Sequence, residues 1–139
     1  MTALAQSGSR ELRMNRILVS AIAVAGFASM AFAQSVPTMT GDSAKGKVLT
    51  DPKGMTLYVF DKDSDGKSVC NGPCATNWPP LMAASDAKAE GAYTVVTRDD
   101  GGKQWAYKGK PLYTWIKDTK PGDISGDGVA NNSWHIATP

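Results

Sequence analysis

Residues 54–63 read Gly-Met-Thr-Leu-Tyr-Val-Phe-Asp-Lys-Asp, and residues 109–118 read Gly-Lys-Pro-Leu-Tyr-Thr-Trp-Ile-Lys-Asp. The second run repeats the first at an offset of 55 residues, and a tryptophan follows each copy, Trp78 and Trp134. A duplicated unit describes architecture before it describes chemistry. In the first copy Met55, Leu57 and Val59 alternate with Tyr58 and Phe60, so both phases of the strand are apolar. Such a strand is covered on both faces and belongs at the centre of a sheet. Leu112 and Ile116 against Tyr113 and Trp115 follow the same rule less strictly. Pairing of these two central strands about a pseudo-two-fold axis is the natural expectation.

Working outward, Lys47–Thr50, the turn residues Asp51-Pro-Lys-Gly54 and Met55–Phe60 read as strand, turn, strand. The second copy does the same with Gln104–Tyr107, a Lys108-Gly-Lys110 turn and Pro111–Ile116. Tyr93–Thr97 is β-rich, Asp99-Asp-Gly-Gly102 is a strong turn, and Ser133–Ala137 is a last short strand. Only Leu81–Glu90, with several alanines, has the composition for a helical turn or two. The fold class expected is mainly β: a small antiparallel β domain built from two repeats, each a hairpin plus a long loop. The repeats fall at about 46–83 and 102–138 within a single domain, residues 46–139.

Residues 1–33 read as a secretory signal peptide: Arg13 and Arg16, an apolar run from Ile17 to Phe27, then Ala31-Phe-Ala33. Thirteen residues before Met14 are an unusual lead-in, and Met14 is a candidate start. Residues 34–45 are small and polar and read as a flexible leader. No cysteine follows the apolar run to carry a lipid, and no membrane span is expected once the signal is cleaved. The whole chain carries a net charge of +2. Setting aside Arg10, Arg13, Arg16 and Glu11 from fifteen basic and thirteen acidic residues leaves twelve of each. The apparent basicity belongs to the signal, so the domain lacks the footprint of a nucleic-acid binder.

Tyr58-x-Phe60-x-x-Asp63 and Tyr113-x-Trp115-x-x-Asp118 flank the segment Cys70-x-Gly72-x-Cys74-Ala-x-x-Trp78-Pro-Pro-Leu81. In this order, over about residues 46–139, they resemble the bacterial secreted-repeat family, predicted lipoproteins with a Tyr-x-(Phe/Trp/Tyr)-x-x-Asp motif. The resemblance implies this architecture and an exported protein; it implies no biochemical activity.

Chemistry is sparser. A tyrosine and the aromatic two residues on share one sheet face, so each motif builds an aromatic ridge, either core or the lining of a groove for a ligand or glycan. Asp63 and Asp118 sit where their strands end, placed to accept backbone N–H groups of the next loop or a tyrosine hydroxyl. Cys70 and Cys74, the two cysteines of an exported chain, are expected to form a disulfide. Asp61, Asp63 and Asp65 followed by Gly66 match the opening of a calcium loop, but position 12 falls on Gly72 where a glutamate is needed. Trp78, Trp134 and the single His135 are candidate ligand contacts. The reading is an exported, non-enzymatic β domain, periplasmic or secreted, with a structural or binding role towards an envelope component or small ligand. The competing reading is a periplasmic redox or metal-handling module using Cys70/Cys74 or His135.

Overall fold

The computed structural model describes residues 36–139; the signal segment and the first leader residues lie outside the described residues. Seven strands, one short helix (α1) and one left-handed turn (α2) run in chain order: β1 Met39–Ser43, β2 Gly46–Thr50, β3 Tyr58–Phe60, α1 Pro73–Asn77, β4 Tyr93–Thr97, β5 Lys103–Tyr107, β6 Lys110–Pro111, α2 Val129–Asn132 and β7 Trp134–Ile136. Every pairing is antiparallel: β1 with β2, β3 with β7, and β4–β5–β6. The domain is therefore mainly β and twofold repeated, as its sequence predicts.

The two halves superimpose in kind. β1, β2 and β3 of the first correspond to β4, β5 and the segment from β6 to Trp115 in the second. Asp51 Oδ1 accepts the N–H groups of Lys53 and Met55, both at 2.9 Å, and so closes the first turn. The second turn has Lys108 at φ 53° and Gly109 at φ 84°. Positive φ at both central positions is the type I′ geometry that matches the twist of a two-residue hairpin.

At the dyad, the Tyr58 N–H donates to Tyr113 O at 2.8 Å and the Tyr113 N–H returns a bond to Tyr58 O at 3.0 Å. Around it the repeats trade their terminal segments. Leu57 N–H donates to Leu49 O, Leu49 N–H to Ala137 O, and Ala137 N–H to Leu57 O, a ring of three backbone bonds at 2.8–2.9 Å. The second ring runs Leu112 to Trp105, Trp105 to Leu81, Leu81 to Leu112, at 2.8–3.0 Å. Ala137 ends the second repeat yet completes the first repeat's ring; Leu81 does the reverse. Leu49, Leu57, Trp105, Leu112 and Ala137 are also the buried members of one core cluster, with Leu81 packed against it.

The opposite phase of the same strands builds a second cluster, Tyr58, Cys70, Trp78, Tyr113 and Trp134. Leu57 and Tyr58 are adjacent and both fully buried, one in each cluster. That is the arrangement the doubly apolar strand requires.

Three expectations need correction. The leader is not wholly flexible: Met39–Ser43 is a strand, the counterpart of Tyr93–Thr97. Its own residues are poor strand formers, and the pairing comes from β2, approached closely because a β-carbon on Gly41 would meet Thr50 Cγ2 at 2.8 Å. Leu81–Glu90 holds no helix, since the Leu81 and Ala83 N–H groups are taken by Leu112 and Lys103. The helical turn falls instead in the first long loop, where α1 starts on Pro73 and a missing N–H costs nothing. Finally, Ile116 is about half exposed and is not part of a doubly covered strand.

Candidate functional site

Each motif tyrosine reaches across the dyad to the other motif's aspartate. Tyr58 Oη donates to Asp118 Oδ2 at 2.6 Å, and Tyr113 Oη donates to Asp63 Oδ2 at 2.6 Å. The remaining carboxylate oxygen clamps the following loop. Asp63 Oδ1 accepts Val69 N–H at 2.8 Å; Asp118 Oδ1 accepts Ser125 N–H at 3.0 Å and its hydroxyl at 2.6 Å. Both roles open to the aspartates are thus filled at once, and the tyrosine belongs to the other copy. Burial, reinforced by the bonds to carboxylate, holds both phenols well above their ordinary range. Burial also raises the Asp63 carboxyl, against the pull of Tyr113 and Val69 in the other direction.

Above the tyrosines lie four rings in the order Phe60, Trp134, Trp78, Trp115. Successive centroids are 4.2, 3.7 and 3.9 Å apart, with planes at 12°, 2° and 25°. Tyr58 meets Trp78 edge-on and Tyr113 meets Trp134 edge-on. The order is palindromic, because Phe60 and Trp115 are motif mates and Trp78 and Trp134 follow them. Each such pair adds about 1 kcal/mol beyond burial. Trp78 and Trp134, expected as ligand contacts, have their faces covered by each other and are buried. Phe60 and Trp115 keep partial exposure at the ends of the stack.

The halves differ in what anchors their loops. In the first, Cys70 and Cys74 form the disulfide, with Cys70 fully buried and Cys74 in α1. Arg98, also buried, donates to Ser68 Oγ at 3.0 Å, Gln104 Oε1 at 2.7 Å and Cys70 O at 2.6 Å. Ser68 Oγ touches the Tyr113 hydroxyl, which links the guanidinium to the Asp63 carboxylate through two hydroxyls. Sequence reading missed Arg98, which looks like a turn residue beside Asp99 and Asp100. Gln104 carried a readable signal: it shares the inward phase of β5 with Ala106.

Asp61, Asp63 and Asp65 do not converge. Asp63 serves Tyr113 and Val69, and Asp61 Oδ2 lies 2.8 Å from His135 Nε2. Asp65 covers Gly109, where an added β-carbon would sit 1.7 Å from Asp65 Oδ1. Among the described residues no three His, Cys, Asp or Glu side chains are arranged to hold a metal ion.

What these loops do form is a cleft of about 360 Å³ between the end of β3 and the β5–β6 turn. Val59, Phe60 and Pro111 give it an apolar side; Asp61, Asp63, Ser64 and Asp65 face Lys108, Gly109 and Lys110. Gly66 N–H donates to Gly109 O at 3.0 Å and ties the two walls together. A β-carbon on Gly54, the mate of Gly109, would meet Pro121 at 3.3 Å, and the Thr56 hydroxyl donates to Asp123 O at 2.8 Å.

A family model described as a secreted repeat of unknown function matches this chain twice, over residues 39–82 and 94–138. No curated protein and no solved structure matches it. Among the described residues no helix is long and apolar enough to cross a membrane.

Proposed function

The chain belongs to the family of secreted repeats of unknown function, and on that premise we propose that it is an exported, non-enzymatic binding domain of the cell envelope. Its contact surface is the cleft beside the β5–β6 turn. The observation that carries this is the asymmetry of the two copies. Tyr58, Tyr113, Asp63 and Asp118 are all committed to one another and to their loops, so the repeated motif is scaffold. The unshared parts of the loops are left for recognition, and the first copy's loop lines the cleft. The redox or metal-handling alternative is not favoured by the geometry: Cys70 is fully buried in its disulfide with Cys74, and the His135 ring faces Asp61 at 2.8 Å.

Lys108 and Lys53 occupy equivalent positions in the two turns, 55 residues apart. A photo-reactive side chain installed at either one in the natively exported protein tests the reading. Illumination in the living cell, followed by intact-mass measurement, is expected to show an adduct at position 108 and none at 53. Equal labelling at both, or none at 108, overturns the assignment of the cleft.

A further inference from the structure

We propose that the cleft binds a free α-amino acid with an apolar side chain, a class of ligand that rests on the cleft being the contact surface. Its lining carries opposite, unspent charges. Among the described residues Asp65, Lys108 and Lys110 have no ion-pair partner, although Lys108 lies 5.1 Å from the centroid of its neighbour Tyr107. Asp65 lies over Gly109, between the two lysines in the turn. A ligand of one sign meets repulsion from one set of these groups; a zwitterion is matched by both. Its ammonium pairs with Asp65 and its carboxylate with Lys108 and Lys110, while Val59, Phe60 and Pro111 face the side chain.

The second repeat gives an internal control. The residues equivalent to Asp65, Lys108 and Lys110 are Lys120, Lys53 and Met55, so the opposition of charge exists in one copy only. That copy is the one whose loop lines the cleft. A volume of about 360 Å³ suits one such molecule. The pairing is solvent-facing, so affinity falls with rising salt.

The test is amide NMR on the exported protein with L-leucine, N-acetyl-leucine, leucinamide and glucose as probes. Leucine is expected to shift the amides of residues 59–65 and 107–110. Loss of either charge, in N-acetyl-leucine or leucinamide, weakens binding about tenfold or more. Asp65→Asn and the double variant Lys108→Gln/Lys110→Gln do the same, with dispersed spectra showing that the fold is intact. Shifts at the cleft that are as strong with glucose or a singly charged probe overturn the amino-acid assignment and leave the cleft standing. No shifts with leucine also overturn it, and the labelling at Lys108 then judges the cleft separately. Shifts only outside the cleft overturn both.

Discussion

A tyrosine hydroxyl that donates to a carboxylate 60 residues away acts on the whole chain through one proton. Carboxylates also set how the domain answers acid, and they do so with both signs. Asp123 accepts the N–H groups of Thr119 and Lys120, which with the Lys120 ammonium hold its carboxyl down at about 2, from an ordinary 3.8. The folded state binds fewer protons than the unfolded chain in that interval. Stability present above about pH 4 is therefore lost as the pH falls towards 2. Asp127, lowered by Lys45, has the same sign. Asp63 has the opposite one: burial raises it, so its ionisation works against the fold as the pH rises past 3.8. The expected outcome is that Asp123→Asn lowers the urea midpoint near neutral pH and that the gap to the parent closes towards pH 2. A gap that stays constant across that range would mean that ionisation of Asp123 does not carry this dependence.

At the scale of elements, the β5–β6 turn shows how one glycine serves geometry twice. Gly109 adopts φ 84° and leaves room for the Asp65 carboxylate. Gly109→Ala is expected to cost about 1–3 kcal/mol, from left-handed strain and from displacing Asp65. Adding Asp65→Ala removes the collision and returns part of that loss, read as urea midpoints; no recovery would mean that strain alone matters. The turn was legible in Lys108-Gly-Lys110, as was the first in Asp51-Pro-Lys-Gly54, because local chemistry decides both. β1 was not, since Met39-Thr-Gly-Asp-Ser43 is a strand only by virtue of its partner. The alanines of Leu81–Glu90 misled for the same reason: weak helix propensity loses to backbone bonds offered by the other repeat. In the site, the disulfide could be read from cysteine count and export. The cleft could not, because its two walls are some 45 residues apart and meet only in the fold.

For the molecule as a whole, duplication is not two domains side by side. Ala137 closes the first repeat's ring and Leu81 the second's, and each motif tyrosine serves the other motif's aspartate. The palindromic stack from Phe60 to Trp115 joins the same halves. The doubled Leu-Tyr signature made a dyad legible; the exchange across it was not, because a repeat records equivalence and not which copy each side chain touches. Mutual exchange ties the motif into the fold, and on the proposed reading recognition falls to the loops, where the copies diverge. A double-mutant cycle in urea with Tyr58→Phe tests that most directly. Combined with Asp118→Asn it is expected to give a coupling of about 1–2 kcal/mol, and combined with Asp63→Asn one near zero. Coupling of Tyr58 to Asp63 within its own repeat, with none to Asp118, would contradict the exchange.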